Sequence, residues 1–242
     1  MIQKTRAIIL QYSKYGDNKL ILNTFSEDFG RLSFALKLPE GKNKANVLPY
    51  CQPLFQNEIE YRGSNSAVKN IKSISPAVNY ATIPKNTAKM SVAMFLSEVL
   101  LKTLTYSEAN KELYGFISTS LLLLDDKDYK GRNFHLKFLM QLSKYVGFFP
   151  FNRYSQQTPC FDIAKSKFCQ DIAGSPHFIR EPYSKIFSDI LDNDILSCEE
   201  IPLNGVARSF LLEKILDYYR YRFDSLHDIR SLEILQAVFH NS

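Results

Sequence analysis

The stretch TRAIILQYSKYGDNKLILNTFSEDFGRLSF, residues 5–34, decides the fold expected for the first third of the chain. Residues 5–12 are rich in β-branched side chains, and apolar residues alternate with polar ones in 19–25 and 31–38, which is typical of strands. Polar turn residues at 16–18 and 26–30 separate the three runs. The stretch therefore predicts three strands, of which the last two form a hairpin.

Two further runs, residues 56–62 and 67–74, have the same strand-like character and are joined across residues 63–66. The polar and basic segment that precedes them, residues 39–49, is expected to be an exposed loop. Five short strands within about 75 residues predict a small closed or nearly closed barrel, because closure leaves no unpaired sheet edge.

After Pro76 and Pro84 the apolar residues recur every 3–4 positions instead of every two, which indicates helices. Strands followed by helices are typical of segregated domains. The predicted fold class is α+β, with a β-barrel domain over residues 1–78 and an all-α helical domain over residues 79–242. Residues 154–177 are expected to be irregular. The predicted helices cover residues 92–104, 113–124, 134–146, 183–191, 206–219 and 231–239.

The composition is that of a folded protein, with a hydrophobic fraction of 45% and a mean hydropathy of −0.20. The N-terminal residues lack the apolar run and the cleavage site of a signal peptide. No stretch approaches the ~18 apolar residues that span a bilayer. We therefore expect a cytoplasmic protein whose four cysteines, Cys51, Cys160, Cys169 and Cys198, are reduced.

The positive charge of the chain is concentrated in its first third. Residues 1–80 hold eleven basic and six acidic side chains, whereas the rest of the chain holds equal numbers of each, so the net charge of +5 belongs to the predicted barrel. A local basic field attracts a polyanion by steering and by counterion release.

Cations and aromatic rings lie together in sequence around the first turn and the loop after the third strand. A barrel that binds single strands needs cations for the phosphates and aromatic faces for the bases, and stacking contributes ~1–3 kcal/mol per base. The alternative is a basic surface without a nucleic-acid ligand. The predicted DNA-binding residues are Tyr12, Lys14, Tyr15, Lys19, Arg31, Lys37, Lys42 and Lys44.

Residue patterns that would indicate an enzyme are missing. The chain contains no GxSxG, GxxxxGK[ST] or HExxH motif, and His135, His177, His227 and His240 lack the spacing of a shared metal site. The acidic residues at 125, 126 and 128 are read as the polar end of a helix rather than as a cation site. No catalytic residue, metal or cofactor is therefore predicted.

Four segments together resemble the RecO family of DNA repair proteins, which are recombination mediators. The first is the strand, turn and hairpin pattern of residues 5–34, and the second is LPYCQPL at residues 48–54. The third is NFHLKFLMQLSKYVGFFP at residues 133–150, and the fourth is LLEKILDYYRYRFDSLHDIRSLEILQAVF at residues 211–239. They follow in the family's order over nearly the whole chain.

The resemblance implies an OB-fold barrel in front of a helical domain. It also implies binding of single- and double-stranded DNA, annealing of complementary strands and loading of the recombinase onto DNA coated by single-strand-binding protein. The implied partners are RecR and the acidic C-terminal tail of single-strand-binding protein. A protein scaffold whose basic barrel binds an acidic protein is the alternative.

Two further expectations concern the helical domain. An acidic tail needs a groove with cations at its rim, for which Lys130, Arg132 and Lys137 are candidates, unless they only pair with nearby acids on the helix surface. Many RecO proteins carry a four-cysteine zinc site after the central helix. This chain has only Cys160 and Cys169 there, so the resemblance is to the zinc-free members.

Overall fold

A computed structural model describes residues 1–39, 47–63, 66–105, 108–171 and 177–240 of the chain. The chain divides into two compact units, Met1–Asp126 and Lys127–Ser242. In the part of the chain that the structure describes, no helix is both long enough and apolar enough to cross a membrane.

The first unit is built on a closed five-stranded barrel in which the strands follow the order β1-β2-β3-β5-β4. Every neighbouring pair is antiparallel except β3 and β5, which run parallel. This confirms the predicted barrel, and its order agrees with the OB-fold that the resemblance implied. The strands are β1 (Ile2–Lys14), β2 (Lys19–Ser26), β3 (Gly30–Lys37), β4 (Gln56–Arg62) and β5 (Val68–Pro76).

The alternating side chains of the strands fill the barrel. A register shift between Ile9 and Gln11 bends β1 so that one long strand pairs with both β2 and β4. Gly16 has a φ of +66° in the β1–β2 turn, a conformation that glycine adopts without strain. The buried core residues on the first four strands are Ala7, Ile9, Leu20, Leu22, Phe34, Leu36, Ile59 and Tyr61.

In the described part of the first unit, two α-helices follow the barrel: α1 (Thr87–Thr103) and α2 (Lys111–Asp125). The helix α2 packs on the barrel, where the ring of Tyr114 lies 6.4 Å from that of Phe25, and Ser118 donates a hydrogen bond of 2.7 Å to Gln56. The last barrel strand ends at Pro76, close to the boundary predicted at residue 78. The compact unit nevertheless continues to Asp126, because these helices are packed against the barrel.

Among the residues of the second unit that the structure describes, four α-helices occur: α3 (Phe134–Tyr145), α4 (Tyr183–Asp192), α5 (Gly205–Arg220) and α6 (Ser231–His240). In its core, the buried rings of Tyr218 and Tyr219 lie 5.2 Å and 4.8 Å from the half-buried ring of Phe148. Each helix lies where the apolar period predicted one.

The second unit also contains a small sheet, although residues 154–177 were expected to be irregular. Its strands are β6 (Cys160–Asp162), β7 (Lys167–Cys169) and β8 (Phe178–Ile179), in the order β7-β6-β8. Strands of two or three residues are too short to show a period of two in the sequence.

Candidate nucleic-acid interface

Five of the predicted DNA-binding residues lie at one end of the barrel, around the β1–β2 turn. The amide of Tyr15 donates to the carbonyl of Lys19 (2.9 Å), which closes the turn. All five side chains are exposed, with Tyr12 at 37% and Tyr15 at 66%. We call this set the turn-end cluster: Tyr12, Lys14, Tyr15, Lys19 and Lys37.

The lysines of the turn-end cluster form a local excess of positive charge. Lys19 and Lys37 are directly opposite each other on β2 and β3, and like charges in that position repel. Among the residues that the structure describes, none of the three lysines forms an ion pair. Lys4, elsewhere on the barrel, is instead paired with Glu58 at 2.9 Å. The turn-end cluster therefore offers unneutralised cations to an anionic ligand.

A groove of about 420 Å³ runs past this cluster. It combines cations, an aromatic ring and apolar side chains, and Asp17 of the turn is its acidic residue. The pairing of Tyr12 with Leu22 and of Lys14 with Leu20 places both residues on the core face of β1, where both side chains nevertheless stay exposed to solvent. The lining residues are Tyr12, Lys14, Gly16, Asp17, Lys19, Leu20, Leu38, Leu48 and Gln52.

The outer face of β2 and β3 extends the interface with uncharged polar groups. Asn23 accepts a hydrogen bond from Ser33 (2.8 Å) and donates one to Gln11 (3.2 Å), which forms a polar row across three strands. Such a face can hydrogen-bond to sugars and base edges. Periodicity alone cannot single out these residues, because only the register of the strands shows that they lie side by side.

Arg31 lies away from the turn-end cluster. It is at the opposite end of β3 from Lys37, about 20 Å along the strand, and faces Phe25 on β2. Its guanidinium is partly buried, which lowers its pKa. Arg31 thus lies on the strand that leads into the loop, as expected, but at the end of that strand away from Lys37. Lys42 and Lys44 lie outside the described residues.

The three candidates for partner binding do not form one surface. Lys130 and Arg132 are exposed, and the amide of Arg132 donates to Glu199 (2.9 Å). Lys137 is fully buried, and its Nζ donates to the carbonyls of Ile190 (2.8 Å) and Leu191 (2.9 Å). Lys137 therefore stabilises the end of α4, and the expectation that it lines an exposed groove is wrong in this structure.

A groove of about 900 Å³ in the second unit was not singled out from the sequence. It has an exposed aromatic ring, Phe151 (77% exposed), beside the exposed cations Arg153 and Lys167. Among the described residues, neither cation forms an ion pair. No periodic signal could have found this groove, because it follows an irregular segment and a very short strand.

The structure places the two cysteines of the region directly opposite each other, as Cα partners on β6 and β7. Within the described ranges, no group of three or more histidine, cysteine or acidic side chains is arranged to hold a metal ion. Two thiols do not make the tetrahedral cage of a structural zinc site, so these residues do not fit a four-cysteine zinc ion.

Comparisons with known proteins cover nearly the whole chain. Residues 1–80 match the family model for the recombination protein O N terminal domain, and residues 84–153 match the model for its C terminal domain. The chain is 29% identical to the DNA repair protein RecO of Azobacteroides pseudotrichonymphae, over 99% of this chain and 100% of that protein. It is 30% identical to the DNA repair protein RecO of Flavobacterium johnsoniae, over 98% of both chains.

Proposed function

Because the chain belongs to the RecO family and has a role in DNA repair and recombination, we propose that it is a non-catalytic mediator that binds DNA through its barrel. The proposal includes single- and double-stranded DNA, annealing of complementary strands, and help in loading the recombinase onto DNA coated by single-strand-binding protein. A cytoplasmic location is part of the same proposal.

The observation that carries this proposal is the turn-end cluster. Three exposed lysines without ion pairs among the described residues stand beside two exposed tyrosines at the end of a closed barrel. Phosphate groups would neutralise the lysines and release the counterions of the DNA. Unpaired bases would stack on the tyrosine rings. The polar row of Gln11, Asn23 and Ser33 would then contact sugars or base edges.

Annealing follows from the same charges. Two complementary strands repel each other through their phosphates, and the repulsion is strongest at low salt. A barrel that neutralises the phosphates of one strand lowers the repulsion felt by the second strand. Neither step requires a nucleotide or a metal ion, so the proposed activity is binding and alignment of strands without bond cleavage.

The second unit supports a role in partner binding. We propose RecR and the acidic C-terminal tail of single-strand-binding protein as partners of this chain. The groove beside Phe151 has the chemistry that such a tail requires, because Arg153 and Lys167 can pair with carboxylates and the exposed ring can pack against an aromatic side chain. Lys130 and Arg132 are exposed and stay candidates for the same role.

A protein scaffold is the second candidate function, in which the turn-end cluster binds an acidic protein instead of DNA. The exposed lysines alone fit DNA binding and binding of an acidic protein equally well. The exposed tyrosines favour DNA, because they stack on bases whatever the sequence.

Annealing of two complementary labelled oligonucleotides, followed by energy transfer between the labels, tests the proposal. The wild type is expected to accelerate annealing, and a Lys14→Gln/Lys19→Gln/Lys37→Gln variant is expected to lose most of the acceleration. The matched control, Lys85→Gln/Lys127→Gln/Lys144→Gln, removes three exposed lysines outside the barrel strands and should anneal like the wild type. Equal losses in both variants would favour a non-specific effect of net charge and would overturn the proposal.

A further inference from the structure

The hairpin formed by β6 and β7 carries a pair of thiols, Cys160 and Cys169, that face each other across the two strands. We propose that these two cysteines are a reversible oxidation site, which forms an intramolecular disulfide by exchange with a low-molecular-weight disulfide. This inference rests on the geometry of the hairpin and is independent of the DNA-binding role.

The backbone already holds the two cysteines at a distance suited to a disulfide. Directly opposed residues of antiparallel strands have Cα atoms about 4.5–5.5 Å apart, and disulfides join Cα atoms about 4.4–6.8 Å apart. The neighbouring pair Phe161 and Phe168 fixes this register, because their rings lie 5.1 Å apart and both are buried. Formation of the bond therefore needs no change in strand pairing.

The two thiols differ in their exposure to solvent, and this difference determines which thiol reacts first. Cys169 is half-buried and lines the groove beside Phe151, whereas Cys160 is buried at 3% exposure. A small disulfide in solution would therefore reach Cys169 first. Burial raises the pKa of both thiols, so the exchange is expected to be slower than that of an unfolded cysteine.

The remaining two cysteines have no such geometry. Cys51 is buried in the barrel core, and Cys198 is fully buried in the second unit. Burial raises the pKa of Cys51 to about 11 and that of Cys198 to about 12, so both are almost entirely protonated at neutral pH. They serve as internal controls within the same chain.

The exchange balances in two steps with oxidised glutathione as the oxidant. The thiolate of Cys169, having lost its proton to solvent, attacks one glutathione sulfur, and the glutathione disulfide bond breaks to release one glutathione thiolate. The thiolate of Cys160 then attacks the sulfur of Cys169 and releases the second glutathione thiolate. The two cysteines are oxidised to a disulfide, and one oxidised glutathione is reduced to two thiols.

The test uses the full chain, folded, in buffers of graded reduced-to-oxidised glutathione ratio. After an acid quench, free thiols are alkylated and the protein is digested with trypsin, which cleaves after Lys165 and Lys167 and so separates the two cysteines. The expected product is a pair of peptides, one with each cysteine, linked by a disulfide that dithiothreitol reverses. Cys51 and Cys198 are expected to remain reduced and to be recovered as alkylated thiols.

Two single variants separate the intramolecular bond from simple glutathione attachment. Cys160→Ser is expected to accumulate glutathione on Cys169, because the resolving thiol is missing. Cys169→Ser is expected to leave Cys160 as an unmodified thiol. The proposal would be overturned if the folded wild type carried glutathione on Cys169 without the link, or if the link formed only after the chain had been denatured.

Discussion

Two groups of cationic side chains in this chain differ in their exposure to solvent. At the turn end of the barrel, Lys19 and Lys37 stand opposite each other in solvent without ion pairs among the described residues. In the second unit, Lys137 and Arg208 are buried and satisfied by the chain itself, Arg208 through the carbonyl of Leu203 (2.9 Å) and the side chain of Asn133 (3.2 Å). Cations of the first group can act on a ligand, whereas those of the second stabilise the fold.

Desolvation explains the difference. A buried ammonium or guanidinium loses its hydration, and only a full set of hydrogen bonds makes its burial tolerable. Burial accordingly lowers the pKa of both Lys137 and Arg208. An exposed lysine stays hydrated and charged, and its electrostatic field can act on an anionic ligand. The comparison therefore predicts that buried cations control stability and that exposed ones control DNA affinity.

At neutral pH, the largest effect is expected from removing a buried cation. Lys137→Ala leaves two carbonyls at the end of α4 without donors and creates a cavity, so the free energy of unfolding should fall by about 3 kcal/mol. Urea denaturation followed by circular dichroism measures this loss. Lys130→Ala is the control, because Lys130 is exposed, and its effect should stay within about 0.5 kcal/mol. Similar stability of the two variants would contradict the claim that buried cations control stability.

The second effect concerns acid stability of the same core. Burial, and to a smaller extent Arg208, lowers the pKa of His135 to about 3. The unfolded chain therefore binds a proton below pH ~6.5 that the folded chain does not, and stability should fall by about 1.4 kcal/mol per pH unit between pH 6.5 and 3. His135→Asn should remove this part of the slope in urea denaturation.

The barrel could be predicted from the sequence because its strands carry local signals. The alternation of residues 19–25, the turn at Gly16 and the hairpin at residues 26–30 are each encoded within a few residues. The helices were predictable for the same reason, although α3 is buried on more sides than its apolar stripe indicates, since His135 and Lys137 are buried as well. Fold class and element order therefore followed from the chain and its resemblance to the RecO family.

The site was less predictable, because it depends on contacts between distant residues. Lys137 and Lys130 lie within one basic segment, and only packing against α4 buries the first and leaves the second exposed. Arg31 and Lys37 belong to one strand, but strand direction puts them at opposite ends of the barrel. The sheet of β6–β8 was missed because its strands are too short to show a period.

A smaller effect should distinguish stacking from charge at the turn end. Tyr15→Ala removes an exposed ring beside Lys14, and the affinity for single-stranded DNA should fall roughly fivefold, which corresponds to about 1 kcal/mol. Tyr15→Phe keeps the ring and should bind like the wild type. Fluorescence anisotropy with a labelled oligonucleotide measures both. An equal loss in the two variants would show that the hydroxyl, and not stacking, is responsible.

The smallest effect compares the turn end of the barrel, at Lys19 on β2, with the far end of β3, at Arg31. Lys19→Gln should lower the slope of log affinity against log salt concentration by about 0.7, the value for one phosphate contact on a single strand. Arg31→Gln should leave this slope unchanged, because Arg31 lies away from the turn-end cluster. If Arg31→Gln changed the slope as much as Lys19→Gln, the DNA-binding surface would have to include the far end of the barrel.

The most direct test of the central claim is the salt dependence of binding to a labelled single-stranded oligonucleotide. For Lys14→Gln/Lys19→Gln/Lys37→Gln we expect lower affinity at low salt and a slope reduced by about 2, one contact for each lysine removed. For Lys85→Gln/Lys127→Gln/Lys144→Gln, which loses the same net charge from other exposed sites, we expect the wild-type slope. Equal slopes in the two variants, or wild-type binding without salt dependence, would contradict a DNA interface at the turn end.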